Sequence, residues 1–456
     1  MLRKFLKIPH IAAVGFVAAA SLTAAAGIAR ATPVLTVIKS LCYTGTSCSG
    51  AVPTANPQEL IADSSGNYFG VTATGGTHGH GQAFKILKLM GGGYSYVPIY
   101  DFCPSSGCAD GSGPVGKLII DTSGNLYGMT ADGGGCTPKP TIGCGTIFEL
   151  SPPGTGTTYL LTTLWTFCSS GSTCPGGQEP GAGLTYAGWP GSAYDGSSTL
   201  FGTTDDGGSG TSAQGIAFKL TGVGGTPALT DIHDFCSVSG CTDGATPDQL
   251  VVDGSGDLFG VAHSGGSCPA NISGCGVAFE LSPSGGSYSY TTLYTFCPSI
   301  GCADGQSPDG QLVITSTNKL VGTTAFGGAN DDGTVFRITP NGASSTETVR
   351  YSFCSVGGGA CTDGSLPQGG VFQDANGKFY GVTAFGGANQ LAPGGTVWKL
   401  SGTTLTTLYS FCPAAGCADG NLPQASVVYD SVSGDLFGTA THGGANNGGV
   451  VFDLTP

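Results

Sequence analysis

The sequence predicts an all-β protein, a seven-bladed β-propeller of four-stranded blades closed by its N-terminal strand pairing with the last blade. Three observations carry this reading. One unit recurs seven times, each unit holds four short strand-like runs, and no segment beyond residue 31 has a helical apolar period. The unit runs through an aromatic strand ending in Phe-Cys, a Cys loop, a Pro and an apolar strand. It continues with a Gly turn, an F/Y-G-x-T strand, a Gly-Gly loop and a G-x-x-F strand.

The first Cys of the unit falls at Cys42, Cys103, Cys168, Cys236, Cys297, Cys354 and Cys412, in steps of 61, 65, 68, 61, 57 and 58 residues. A Pro precedes the next strand in every copy: Pro57, Pro114, Pro180, Pro247, Pro308, Pro367 and Pro423. In the unit from Ser307 to Phe353, Leu312 to Ile314 is an apolar run suited to a strand buried on both faces. Leu320 to Thr324, Thr334 to Ile338 and Thr348 to Phe353 supply the other three strands. Four antiparallel strands in about 45–60 residues make a propeller blade. The units span about 32–94, 95–158, 159–227, 228–287, 288–345, 346–403 and 404–456.

The phase of the repeat predicts closure. The chain after residue 31 begins with a fourth-type strand, Val34 to Leu41, and ends with a third-type strand, Gly449 to Leu454. Pairing the two completes the last blade and removes two exposed edges, whereas an open array would need capping repeats that the sequence lacks.

Residues 1–31 read as a signal peptide, with basic Arg3, Lys4 and Lys7, an apolar stretch from Ile11 to Ile28, and an A-x-A site ending at Ala31. The alternative, a retained membrane anchor, is disfavoured by a small-residue-rich segment of marginal length. A secreted protein, extracellular or periplasmic, with no C-terminal anchor and no membrane span after cleavage is therefore expected, with residues 32–456 forming the propeller. Cleavage removes four basic and no acidic residues, taking the formal net charge from −14 to −18. Such a chain repels phosphate backbones and anionic lipid, which excludes nucleic acid as an expected partner. Glycine is 82 of 456 residues, but aromatic and β-branched residues recur on a fixed period, which favours order over low complexity.

All 18 cysteines fall into nine local pairs. Seven sit in the Cys loops: Cys42 with Cys48, Cys103 with Cys108, Cys168 with Cys174, Cys236 with Cys241, Cys297 with Cys302, Cys354 with Cys361, and Cys412 with Cys417. Two more, Cys136 with Cys144 and Cys268 with Cys275, bracket long Gly-Gly loops. Even count, fixed placement and an export signal predict disulfides rather than metal ligation. No metal and no cofactor are expected.

Five Cys loops continue as [A/T]-D-G, at Asp110, Asp243, Asp304, Asp363 and Asp419. One carboxylate per loop is a poor calcium cage and a good acceptor for backbone N–H groups, so these read as turns. The D-x-x-G turns at Asp63, Asp121, Asp253 and Asp374, and the one-residue-longer turn at Asp430, read likewise, between first and second strands. His78, His80, His263 and His442 lie in Gly-Gly loops at non-equivalent positions, and His78, His80 and His442 are on blades that a closed ring makes neighbours. Phe326 and Phe385 hold matching places in two TAFGGAN loops, as stacking platforms or as pins for their own loops. Trp165 and Trp398 replace repeated aromatic strand positions and read as core. No H-E-x-x-H, Walker loop or nucleophile elbow is found.

The string LVGTTAFGGANDDGTVFRI, Leu320 to Ile338, and its six relatives resemble the tandem repeat of the choice-of-anchor GloVer-type secreted bacterial proteins. The resemblance implies export and, often, a C-terminal surface anchor, which this sequence does not show. It implies no catalytic residues.

In such a blade the Cys loops and Gly-Gly loops share one face, and the other face carries tight turns except for a Trp189-containing insertion. The residue after each Pro stands at the mouth of the axial channel: Gln58, Val115, Gly181, Asp248, Asp309, Gln368 and Gln424. Five of the seven are amides or carboxylates, so Gln58, Asp248, Asp309, Gln368 and Gln424, with Phe326 and Phe385, are the candidate ligand-binding residues. The function this favours is a binding or adhesion module for carbohydrate or another extracellular polymer or protein. The alternatives are an extracellular hydrolase or lyase using Asp248 and Asp309 at the axis, and a structural surface or assembly protein.

Overall fold

The computed structural model describes residues 32–42, 56–135, 144–168, 174–188, 192–209, 214–269, 274–388 and 394–456. The expected signal peptide, Cys48, Cys136 and Trp189 lie outside these residues. The strands form seven separate antiparallel sheets, arranged as a seven-bladed β-propeller. Blade 1 runs from the inside outward through Ile61–Ala62, Tyr68–Thr72, Gln82–Lys88 and Tyr94–Asp101. Blade 5 repeats this order with Gln306–Ile314, Leu320–Phe326, Thr334–Thr339 and Thr346–Ser352. In blade 4 the innermost strand is split into Ala245–Pro247 and Val251–Val252.

The ring closes as the repeat phase predicts. Blade 7 comprises Val428–Tyr429, Leu436–Ala440 and Val450–Thr455, and its outermost strand is the N-terminal Val34–Ser40. The pairing is antiparallel, from Val34 opposite Thr455 to Ser40 opposite Val450.

The repeated F/Y-G-x-T motif has a packing cause. The third strand of each blade buries one aromatic ring: Phe84, Phe148, Phe218, Phe279, Phe336, Trp398 and Phe452, all fully buried. Each ring lies across the motif glycine of the second strand. A Cβ on Gly322 would meet Phe336 Cζ at 2.8 Å and Leu312 Cδ2 at 2.7 Å, so no larger residue fits. Trp398 is core, as its strand position implies, and the partly buried Trp165 packs against a core cluster.

The Cys loops are held as the sequence suggests. Seven disulfides are present among the described residues: 103–108, 168–174, 236–241, 268–275, 297–302, 354–361 and 412–417. Cys42 and Cys144 are also disulfide-bonded, and their expected partners lie outside the described residues. The loop Asp is a structural acceptor. Asp304 accepts from Cys297 N at 3.1 Å and from the Tyr294 hydroxyl at 2.8 Å, and Asp110 and Asp419 repeat both bonds. Where His233 replaces that tyrosine, its Nε2 faces Asp243 at 3.6 Å. The D-x-x-G turns behave likewise, with Asp63 Oδ1 accepting from Ser65 N and Asn67 N.

Gly328 N donates to Cys302 O at 2.8 Å, and five other blades repeat the bond, which fixes Cys loop and Gly-Gly loop on one face.

Candidate functional site

In six blades the first residue after the Pro reaches the axis because the chain is turned sharply just before it; in blade 2 Val115 packs against a core cluster instead and Gly116 lines the axis. The residue preceding each Pro has positive φ: Asn56 46°, Gly113 63°, Glu179 54°, Thr246 56°, Ser307 53°, Leu366 51° and Leu422 55°. This left-handed conformation is costly for a non-glycine residue, and tertiary bonds hold it. Leu366 N donates to Asp332 O and Leu422 N to Gly394 O, each reaching the preceding blade. The Pro ring then abuts the glycine that begins that blade's third strand. A Cβ on Gly333 would lie 2.5 Å from Pro367 Cδ, and Gly333 itself has φ 93°.

Seven such turns surround one cavity of about 300 Å³ on the axis. Gln58, Asp248, Asp309, Gln368 and Gln424 all line it, together with Glu59, Gln249 and Gln311. Phe326 and Phe385 do not. Phe326 is 40% exposed, and Phe385 is held by a pair of backbone hydrogen bonds with Ser365. His80 bonds Ser112 and His442 bonds Thr441, so these two histidines are engaged on their own blades or the next. His80 also lies beside the Cys103–Cys108 sulfurs, which are joined to each other and are not free metal ligands.

The axial side chains stitch the blades together. Gln58 Oε1 accepts from Gly116 N at 3.3 Å, and Asp248 Oδ2 accepts from Gly310 N at 2.5 Å, in both cases one blade onward. Glu59 bridges two neighbours, taking Ser426 N at 3.3 Å and Lys117 Nζ at 3.7 Å. Gln424 Nε2 donates to Gln368 Oε1 at 2.8 Å, leaving the Gln368 amide N–H groups and the Gln424 carbonyl facing the cavity.

Blades 3 to 5 concentrate acid on one side of the mouth. Burial first, then the charge of Asp248 and a hydrogen bond with it, holds the Asp309 carboxyl well above the usual carboxylate range. Burial, Asp248, Asp206 and Glu179 push Asp205 up to about 7. Burial lowers His263 below its ordinary value, against the opposing pull of Asp248 and a bond to the Pro308 backbone. Asp205 fills the space left by Gly181, where a Cβ would sit 2.2 Å from its Oδ2. It was not among the sequence candidates, yet a signal existed. The residue after the F/Y-G-x-T strand is Ala73, Ala131, Ala325, Ala384 or Thr441 in five blades, and Asp205 and His263 in the other two.

Residues 185–361 match the sequence model of the Gloeobacter/Verrucomicrobia repeat, the repeat that the sequence resembles. No protein with a curated description matches the chain. Among solved structures, a puromycin hydrolase mutant superposes with a TM-score of 0.46 at 11% identity, over 84% of this chain and 50% of its own. This chain thus spans half the length of that hydrolase. The GH93 α-L-arabinofuranosidase of Fusarium graminearum gives 0.43 at 11% identity, over 92% and 98% of the two chains. A Trypanosoma rangeli sialidase gives 0.38 at 8%, over 81% and 57%. These likenesses concern the fold alone. Among the described residues, no helix is long and apolar enough to cross a membrane.

Proposed function

We propose that the protein is an exported binding module whose axial mouth, on the Cys-loop face, takes a hydroxyl-rich ligand such as carbohydrate of an extracellular polymer. The observation that carries this reading is the convergence of five amide and carboxyl side chains from five blades on one cavity of about 300 Å³. The cavity is small, polar and rigidly framed, which suits one or two sugar rings at the end or side of a chain. The free donors of Gln368 and the free acceptor of Gln424 offer both halves of a hydroxyl's hydrogen bonding.

A glycan array identifies the ligand. Gln368→Ala, Gln424→Ala and Asp309→Asn are then each expected to weaken it by about 1 kcal/mol or more, with a melting temperature near pH 5 that stays within a few degrees of wild type. Unchanged affinity in all three removes the axial site from consideration.

A second reading, hydrolysis at the axis, is favoured by one observation: Asp309 in its acid form hydrogen-bonded to Asp248. That contact places the two carboxyl groups closer than the roughly 5–9.5 Å separation used in glycoside hydrolysis by two carboxylates. A screen on secreted polysaccharides and peptides tests this reading, and a turnover abolished by Asp248→Asn would establish it over simple binding.

A further inference from the structure

A second cavity, of about 670 Å³, opens on the tight-turn face, between blades 1 and 2. The repeat alone does not build it. One wall comes from the insertion in blade 3, the segment that departs from the tight-turn pattern of that face. Described residues of this insertion reach over blade 2: Tyr194 O accepts from Thr122 N at 3.3 Å, and the Tyr194 ring meets Tyr127 edge-on at 5.0 Å. Ala193 and the inner-strand residue Tyr186 thereby come to face Phe69 and Lys85 of blade 1 across the turn of blade 2.

The chemistry of this cavity differs from that of the axis. Phe69, Ile120, Tyr159 and Tyr186 give it aromatic and aliphatic walls. Lys85 Nζ stands 5.0 Å from the centre of the Phe69 ring, and among the described residues no carboxylate lies within ion-pair distance of it. Asp63 and Asp121, at the rim, spend their carboxylates on the N–H groups of their own turns. The Tyr186 hydroxyl is satisfied by the Ser192 carbonyl. Among the described lining residues the Lys85 ammonium is the cation offered to a ligand, while the Asp63 and Asp121 carboxylates keep their charge but turn it onto the N–H donors of their own turns.

We propose that this cleft is a separate binding site for a small aromatic carboxylate, its ring lying against the partly exposed Tyr159 and its carboxylate on Lys85. The site is independent of the axial one, sharing no lining residue with it. A drug-sized aromatic acid fits a volume of this order.

The probes are 2-naphthoate and its neutral partner 2-naphthalenemethanol, titrated calorimetrically into the full secreted protein. The naphthoate is expected to bind, and the alcohol at least tenfold more weakly. Lys85→Gln is expected to remove that preference while leaving the melting temperature near wild type, and Ala193→Trp to block both probes by filling the cleft. Gln368→Ala, at the axis, is expected to change neither affinity. No binding of naphthoate at millimolar concentration overturns the proposal. So does binding that ignores both Lys85→Gln and Ala193→Trp, or a neutral probe that binds as tightly as the acid.

Discussion

Asp309 shows what a single buried carboxyl does at the axis. Its proton is held in the folded state by burial and by Asp248, while in the unfolded chain it leaves near pH 4. Between those two pH values the folded protein binds the extra proton, so stability falls as pH rises through the window. Asp205 and Asp231, each pushed up to about 7, and Glu347, pushed up to about 8, act in the same sense. His233, His263 and His442 are lowered and act oppositely, but only below about pH 6.5, where the unfolded histidine still titrates. From pH 6.5 to 9 the acids act alone, and the melting temperature is expected to fall. Asp309→Asn, which fixes the neutral shape, is expected to match wild type near pH 5 and to melt a few degrees higher at pH 9. Equal melting curves at both pH values would mean that Asp309 ionises freely in the fold. Most of this axial cluster was legible in the sequence, because the repeated Pro marks which residue faces the axis. Asp205 escaped because it follows the second strand and packs against Gly181, a residue that lines the cavity, a relation of space rather than of spacing.

At the scale of the blade, sequence and structure agree because each repeated residue answers a local need. The glycine of F/Y-G-x-T yields room to the aromatic ring of the next strand. Gly322→Ala is therefore expected to overpack blade 5 and cost about 1–3 kcal/mol in chemical denaturation. A neutral result would show that Leu312 and Phe336 can shift aside. The Cys loop is a separate contribution. Removing Cys297–Cys302 by a double Ser substitution opens a six-residue ring and is expected to cost about 2 kcal/mol by the chain-entropy estimate, without loss of the fold. What the strand pattern could not convey is the left-handed turn before each Pro. A residue preceding Pro ordinarily favours extended backbone. Leu366 and Leu422 adopt positive φ because their N–H groups find carbonyls on the preceding blade, a partner that exists only once the ring is assembled. The insertion in blade 3 was legible as an irregularity, but not as the wall of a cleft, since beyond its contacts with Tyr186 of its own blade it also reaches Thr122 and Tyr127 of blade 2.

For the molecule as a whole, the decisive joint is the one between its ends. Each blade contributes its own four strands except the seventh, which borrows Val34–Ser40 from the other end of the chain. Val37 and Leu35 pack against the cluster containing Phe452 and Leu454, and Leu41 is buried with Phe437 and Val451, so the strand brings side chains as well as backbone bonds. Leu41 N also donates to Gly449 O, carrying the pairing to the Cys-loop face. Deleting the chain through Leu41 would expose the Val450–Thr455 strand as an open edge and uncover the apolar side of blade 7. An open edge of this kind recruits another strand. The truncated protein is therefore expected to melt lower and less cooperatively, and to associate through the exposed edge at micromolar concentration. A chain beginning at Pro33 keeps every bond of the closure and is expected to melt like the longer form. Light scattering and calorimetry on the two truncations check this together. A deletion through Leu41 that stays monomeric with unchanged melting would mean that three strands suffice for blade 7, and that the ring is held by its blade-to-blade contacts rather than by the strand that closes it.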